Sequence, residues 1–200
     1  SDPNVTTQGA DNWATEQLYE QLVRPEDGQF GKTPQDFKPT LAESWTSSDD
    51  ARTFNFKLRQ GVQFHKGYGE FTSEDVKFTF DRARDAQRVG GTLPKFVNIA
   101  SVETDGPYVV VFNLKQPDPL FPLAVLSDYD GSIMSKKAVE EKGEEPIGTD
   151  PIGTGPYVLE TVFEDRSQGV LVVANPDHFD GPPAMPKIHF TYIADTTART

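Results

Sequence analysis

The chain has 200 residues, enough for one large or two modest domains, and 36% of them are hydrophobic. Its net charge of −12 argues against a nucleic-acid partner, because phosphate binding requires clustered basic side chains. The absence of cysteine excludes disulfides and thiol chemistry. No run approaches the roughly 18 apolar residues of a membrane span and no signal-peptide pattern is visible, so we expect a soluble chain, mature or trimmed.

The first 40 residues are predicted to contain one helix between two irregular segments. Residues 4–12 are polar and contain glycine, which favours a loop. The apolar spacing that follows predicts a helix from about Trp13 to Leu22. Helix- and strand-breaking residues then interrupt regular structure at Gly28, Gly31, Pro34 and Pro39.

A hairpin is predicted in the region that follows. The polar run from Ser47 to Asp50 favours a turn. Phe54, Phe56 and Leu58 then alternate with polar residues, as in a strand with one buried face. After Gly61, a second alternating pair predicts another strand close behind the first, at Val62 and Phe64.

The next helix is predicted from its first residues. Thr72 is a suitable N-cap, and Asp75 follows three residues later, which is close to a capping-box arrangement. Val76, Phe80 and Ala83 share one face, so this face is predicted to be buried.

Shorter elements are predicted through the rest of the chain. Asp105-Gly106 lies between two apolar runs and indicates a hairpin. Short helices are expected at 93–99, from Pro119, and at 135–143, where Ser135 is available as a cap. Proline and glycine concentrate between 146 and 156, which is the best candidate for an internal boundary. Three strands are predicted beyond this boundary, at 157–162, 170–173 and 188–193.

Several segments have a residue order that is more specific than their periodicity. They are SDP at 1–3, EQLYEQLV at 16–23, LAESW at 41–45, FNFKLRQGVQFH at 54–65, FTSEDVKFTFDR at 71–82, GTGPY at 153–157, NPDHF at 175–179 and KIHFTYIADTTAR at 187–199. Together they resemble the extracellular solute-binding proteins of family 5, the dipeptide- and oligopeptide-binding proteins of bacterial ABC importers.

The resemblance implies a mixed α/β fold of the type II periplasmic binding protein kind. Residues 1–39 and 150–200 would form parts of a central lobe, and 40–149 an inserted α+β subdomain. Family members are much longer than this chain. The distal lobe, which closes over the ligand, is therefore expected to be missing, and the C-terminal part of the same protein is an expected partner.

The resemblance also gives a candidate ligand site. It places the loop from Thr6 to Trp13 at the rim of the cleft, where Thr7, Gln8 and Gly9 would offer backbone groups to an extended ligand. Trp13 would supply an apolar wall, or alternatively would staple the start of the following helix. No cofactor, metal ligand or catalytic residue is predicted.

Other chemistry has weak support in the sequence. His65, His178 and His189 are isolated from one another and are predicted to be structural or surface residues. Gly153-Thr154-Gly155 lacks the spacing and the lysine of a phosphate-binding loop, so a turn requiring positive φ is the simpler explanation of its glycines. No activated-nucleophile motif is present.

The sequence therefore predicts solute capture between two lobes and delivery to ABC permease subunits, with no catalysis. The expected ligand is a peptide, although nickel chelates and sugars are alternatives within the family. The expected location is periplasmic or extracellular, with lipid anchoring left open. Two other hypotheses are an independent protein-interaction module, supported by the completeness of 40–149, and a hydrolase that has lost its motifs.

Overall fold

The computed structural model describes residues 9–25, 36–85, 94–144, 149–165 and 168–191. Its helices are α1 (Gly9–Leu18), α2 (Ser73–Ala83) and α3 (Lys136–Lys142). Its strands are β1 (Val23–Pro25), β2 (Phe37–Pro39), β3 (Ala42–Ser47), β4 (Thr53–Leu58), β5 (Ile99–Thr104), β6 (Val109–Leu114), β7 (Tyr157–Val162), β8 (Val170–Ala174) and β9 (Lys187–Phe190). The order of elements gives a mixed α/β fold with antiparallel pairing in each described sheet.

A four-stranded sheet in the order β3-β4-β6-β5 forms the largest layer. Phe54, Phe56 and Leu58 of β4 are buried on one face, as the alternating pattern predicts. Phe112 of β6 lies at the centre of an aromatic cluster, with ring centroids 5.0 Å from Phe80 of α2 and 5.7 Å from Phe56. The core of this sheet is therefore apolar and aromatic, and α2 covers it.

The capping-box arrangement at the start of α2 is confirmed. The Asp75 carboxylate accepts hydrogen bonds from the backbone N–H of Thr72 at 2.9 Å and from its hydroxyl at 3.1 Å. Its second oxygen accepts from the backbone N–H of Lys136 at 3.0 Å. Asp75 thus caps one helix and holds the first residue of α3 beside it.

The prediction of a second strand at Val62 and Phe64 is wrong. Both side chains are buried, but the segment forms only a single bridge, between Gln63 and Glu70. The partner that forms the hairpin with β4 is β3, which precedes it. The turn between them is closed by Ser48, whose hydroxyl accepts from the backbone N–H of Thr53 at 2.9 Å.

Other elements are closer to expectation. The Asp105-Gly106 hairpin is confirmed by the pairing of β5 with β6. Ser135 caps α3 by accepting from the Ala138 N–H at 3.2 Å, and Gly143 ends it with a φ of 79°. The helices expected at 93–99 and from Pro119 are reduced to single turns, a 3-10 turn at Pro94–Phe96 and a π turn at Pro122–Leu126.

A three-stranded sheet, β7-β8-β9, lies at the other end of the chain. Its buried face packs with the end of α1 in a small cluster made of Leu18, Tyr19, Met134, Tyr157, Leu159 and Val172. The larger apolar cluster joins the four-stranded sheet to Leu22, Val23 and Ile152. Apolar contacts therefore cross the sequence boundary expected near 150, and the division into a central lobe and an insert stays a prediction.

Candidate ligand-facing helix and its polar junction

Two of the predicted rim residues, Gly9 and Trp13, lie on α1. Thr7 and Gln8 lie outside the described residues. Gly9 is the first residue of α1, and Trp13 lies inside the helix with 66% of its surface exposed. Residues 9–12 of the loop expected for 4–12 are helical, and 4–8 lie outside the described residues. The helix expected for 13–22 is displaced by four residues, since α1 begins at Gly9 and ends at Leu18. A staple by Trp13 does not fit either, because a staple residue precedes the helix.

The end of α1 is held by the loop Gly153-Thr154-Gly155. A Cβ atom at Gly153 would overlap the carbonyl oxygen of Leu18, and one at Gly155 would lie 2.5 Å from the carbonyl oxygen of Gln17. The Gly155 N–H donates to the Leu18 carbonyl at 3.1 Å. Neither glycine is among the residues with positive φ. The turn-geometry explanation is therefore wrong, and close backbone packing requires these glycines.

His65 fixes the same loop from the other side. Its Nδ1 accepts from the Gly153 N–H at 3.4 Å, so Nε2 carries the proton and donates to the Gly155 carbonyl at 2.9 Å. Burial lowers the pKa of His65 to about 4, which keeps the ring neutral at ordinary pH. The structural role predicted for His65 is confirmed.

His178 contacts an acceptor with each of its two ring nitrogens. Its Nε2 faces the Glu20 carboxylate at 3.1 Å, and its Nδ1 faces the Gly181 carbonyl oxygen at 3.1 Å. Burial alone would lower the pKa of His178, but the hydrogen bond and charge of Glu20 outweigh burial and raise it. The turn predicted for this segment is confirmed by the hydrogen bond from the Gly181 N–H to the His178 carbonyl, 2.9 Å long.

Two further side chains complete the arrangement. The Thr154 hydroxyl donates to the second oxygen of Glu20 at 3.1 Å, and the Asn175 amide donates to the Gly155 carbonyl at 3.1 Å. We call the set Glu20, His65, Thr154, Asn175 and His178 the polar junction. All but His178 are buried, and each is bonded within the set or to nearby backbone, so the junction fits a structural role better than acid–base catalysis.

Sequence reasoning did not find Glu20 or its pairing with His178. A signal was present, because His178 stands where the resembled family usually has an aromatic residue. A polar ring in an aromatic position indicates a polar partner, but 158 residues separate this pair, and only the fold brings them together.

His189 lies on β9, exposed as predicted, with Nε2 2.6 Å from the Gln168 carbonyl oxygen. Within the described ranges, no group of three or more His, Asp or Glu side chains is arranged to hold a metal ion. Across the same part of the chain, no helix is long and apolar enough to cross a membrane.

Ion pairs join the segments around the junction. Asp150 bridges Lys66 and Lys142, each at 2.5 Å, and Lys142 lies 4.7 Å from the centre of the Tyr68 ring. Arg82, which is buried, contacts both oxygens of Glu144 at 2.8 Å. These pairs connect α2 and α3 to the segment that leads into the glycine loop.

A shallow concavity of about 90 Å³ lies on the four-stranded sheet rather than at α1. It is lined by Phe37, Trp45, Ser47, Phe54, Pro119, Pro122 and Leu123. Pockets that enclose a small-molecule ligand are typically about 300–1,000 Å³. This concavity is too small to be the site that the fold was expected to carry.

Comparison with known families decides the identity of the fold. The model of the bacterial extracellular solute-binding proteins, family 5 (middle region), matches residues 36–200. The chain belongs to this family. Its members are binding proteins associated with ABC transporters, not enzymes. The resemblance inferred from the sequence segments is thereby confirmed.

Curated relatives include proteins named for peptide binding. The chain is 34% identical to a putative ABC transporter peptide-binding protein of Brucella ovis over 168 residues, which cover 79% of this chain and 30% of the relative. It is 35% identical to di/tripeptide-binding protein 2 of Pseudomonas aeruginosa over 182 residues, covering 80% of this chain and 34% of that one. The chain thus spans about a third of the length of these relatives.

Solved structures of the same fold include complexes with different ligands. MoaA from A. tumefaciens R10, bound to mannopinic acid, matches with a TM-score of 0.88 and 31% identity, over 99% of this chain and 39% of that one. AppA from Bacillus subtilis, bound to a nonapeptide, matches with a TM-score of 0.85 and 27% identity, over 98% and 38%. The fold of the described residues is therefore that of part of a family 5 binding protein.

Proposed function

We propose that this chain is part of an extracytoplasmic binding protein that captures peptides and delivers them to an ABC-type importer. The proposal rests on one observation: the sequence comparisons and the fold comparison both match this chain to proteins named for binding peptides. The curated relatives named above bind peptides according to their names, and AppA is a peptide complex. A shared fold alone would support only solute binding, since one fold carries many ligands.

In this proposal α1 is the ligand-facing element. Thr7, Gln8 and Gly9 present backbone groups to an extended peptide, and main-chain recognition lets the protein accept varied side chains. Trp13 lies one turn into α1, and its exposed ring is available to pack against the ligand. This assignment rests on the place that the family resemblance gives to Trp13, because a single exposed apolar side chain is ordinary on a protein surface.

The proposed organisation is the one that the family resemblance implies. Residues 1–39 and 150–200 belong to a central lobe, and 40–149 form an inserted subdomain. The chain covers 38–39% of the MoaA and AppA chains. A second lobe, supplied by further sequence of the same protein, would close over the ligand, and the closed form would engage the permease. The proposed location is periplasmic or extracellular, with a lipid anchor as one form of attachment.

A second ligand class has specific support. MoaA, which was solved with mannopinic acid, matches with a higher TM-score and identity than AppA. An opine-type ligand joins a sugar-derived chain to an amino acid, so it shares a carboxylate and an amine with a peptide. Binding of such a ligand is the alternative within the same transport function.

Thermal-shift measurement with defined ligands separates these classes. The protein expressed from its whole reading frame is heated with a dipeptide, a tripeptide, a nonapeptide, mannopinic acid or a nickel–histidine complex. A ligand that binds only the native state raises the melting temperature, by an amount that grows with the ratio of the free ligand concentration to its Kd. A shift with peptides supports the proposal, and a shift with mannopinic acid or nickel–histidine alone overturns the peptide assignment.

The isolated 200 residues serve as a control in the same experiment. Only one side of the proposed cleft is present in them, so we expect no shift with any of these ligands. Peptide binding by the isolated chain would contradict the two-lobe mechanism. Capture of a protein partner by the isolated chain, with no ligand shift for the whole protein, would support an independent interaction module instead.

A further inference from the structure

His178 has a hydrogen-bond environment that defines its charge. Both ring nitrogens face acceptor oxygens, one in the Glu20 carboxylate and one in the Gly181 carbonyl group, each 3.1 Å away. A neutral imidazole has one N–H donor and one lone pair, so it satisfies only one of these acceptors. Only the imidazolium form donates to both. The geometry therefore selects a charged ring at this position.

The electrostatic surroundings of His178 agree with this charge. Glu20 is its ion-pair partner, with 7% of the side chain exposed, and Asp180 adds a second negative charge from the same turn. His65 opposes this charge weakly across the junction. The guanidinium of Arg59 lies 4.8 Å from the centre of the Phe179 ring, and the centre of that ring lies 4.6 Å from the centre of the His178 ring. His65 is neutral, so its opposition is small.

The pair connects two distant elements. Glu20 follows the end of α1 by two residues, and His178 lies in the turn between β8 and β9. Glu20 also accepts from Thr154 in the loop on which α1 packs. Loss of the proton from His178 would leave a nitrogen lone pair facing an acceptor oxygen, and the buried Glu20 would lose its counter-charge.

We propose that His178, in its protonated form, is a positioning residue that fixes the end of α1 to the β8–β9 turn, and that deprotonation loosens this helix. The functional consequence rests on the proposed function, because α1 carries Gly9 and Trp13 of the proposed ligand rim. The pairing itself does not depend on which ligand binds. His65 supports the same loop as a neutral donor, so the two histidines hold one junction in opposite protonation states.

The charge of His178 is tested first by NMR of the imidazole nitrogens, with no ligand added. At pH 6.5, the ordinary pKa of histidine, both ring nitrogens of His178 should be protonated. The ring should lose its proton only at higher pH, because the pKa of His178 is raised. Glu20→Gln removes the counter-charge with little change in shape, and should move the titration to lower pH. A neutral ring in the unmodified protein, or an unchanged titration in E20Q, would overturn the proposal.

The positioning role is tested by hydrogen–deuterium exchange of α1, corrected for intrinsic exchange and compared with β4. Protection of α1 should fall as the pH rises through the titration of His178, while β4 stays protected. In H178Q the side chain no longer titrates, so α1 should show no such pH-dependent step. His189→Gln is the matched control, because His189 is exposed and its contacts, the Gln168 carbonyl oxygen and the Phe163 ring, lie outside the polar junction, so this variant should retain the step.

Two results would contradict the positioning role. One is an α1 protection that does not change across the titration, and the other is an equal change in H178Q. The E20Q titration keeps the proposal testable if H178Q does not fold. Neither the NMR titration nor the exchange experiment includes a ligand. Their results therefore do not depend on whether the protein binds peptides, and a negative result in either leaves the proposed peptide ligand unaffected.

Discussion

The four-stranded sheet and the polar junction are held together by different physics. The sheet packs Phe56, Phe80 and Phe112 into an apolar, aromatic core. The junction holds the end of α1 through hydrogen bonds whose pattern depends on the charges of His65 and His178. The most recognisable sequence of the chain builds the sheet, whereas the proposed ligand rim depends on the junction. The family signature and the proposed ligand rim therefore lie in different regions.

The largest expected effect comes from the centre of the sheet. Phe112→Ala removes a fully buried ring that contacts three other aromatic rings, and should lower the free energy of unfolding by about 3–5 kcal/mol. Val97→Ala is the matched control, because Val97 is 53% exposed and should cost within about 0.5 kcal/mol. Denaturant unfolding measures both. Equal losses would show that the aromatic cluster is not the core.

The second prediction is that protonation of His65 lowers the stability of the protein at acid pH. The folded pKa of His65, about 4, is below the ordinary value of 6.5, so between these values the unfolded chain binds more protons than the folded one. The contribution of neutral His65 to the free energy of unfolding is therefore fully present above pH 6.5. It decreases as the pH falls towards 4, by up to about 3 kcal/mol. Urea unfolding across this range measures the loss.

His65→Gln provides the comparison for this acid profile. The substitution should lower stability at neutral pH and should flatten the dependence below 6.5, because glutamine does not titrate. His178 has the opposite sign, since its pKa is raised and its contribution is lost only as the pH rises above 6.5. An acid profile that is identical in H65Q would contradict the neutral, buried state of His65.

Close packing at the glycine loop gives the third prediction. Gly153→Ala places a Cβ against the Leu18 backbone, which cannot rotate away, so we expect a loss near the upper end for overpacking, about 3 kcal/mol. Gly61→Ala meets no atom within 4 Å but has a φ of +78°, and should cost about 1 kcal/mol from backbone strain alone. Exchange of α1 should increase in G153A and stay unchanged in G61A. The reverse order would refute the packing explanation.

A smaller effect is expected at the cap of α2. Asp75→Ala removes the acceptor for the Thr72 and Lys136 N–H groups and should cost about 1–2 kcal/mol. Glu74→Ala, one residue earlier, removes only an exposed contact with Lys136 and should cost about 0.5 kcal/mol or less. Thermal unfolding compares the two. A larger loss in E74A would show that helix charge, not capping, stabilises this turn.

Local signals were sufficient where one element decides the structure. The cap of α2, the Asp105-Gly106 turn and the Ser135 cap each depend on residues within a few positions of one another, and each is found as predicted. Alternation failed at Val62 and Phe64, because both side chains enter the core from a segment without a regular partner strand. Alternate side chains are buried both in a paired strand and in this irregular segment, so the sequence pattern does not distinguish the two structures.

The site was harder to predict for a related reason. The start of α1 at Gly9 is not marked by apolar periodicity, so the helix was expected four residues later. The need for Gly153 arises from the Leu18 backbone, and the charge of His178 from Glu20, which are contacts between distant segments. The resemblance identifies the segments that contain these residues, but the contacts between them are visible only in the folded structure.

The two tryptophans provide the most direct test of the separation between scaffold and ligand rim. Trp13 is exposed on α1, whereas Trp45 is half-buried on β3 and stacks on Phe56 with a centroid distance of 6.1 Å. Isothermal titration with a tripeptide compares W13A and W45A in the protein from its whole reading frame, at a temperature where both are folded. We predict that W13A weakens peptide binding and W45A does not. Unchanged affinity in W13A, or an equal loss in W45A, would contradict this account.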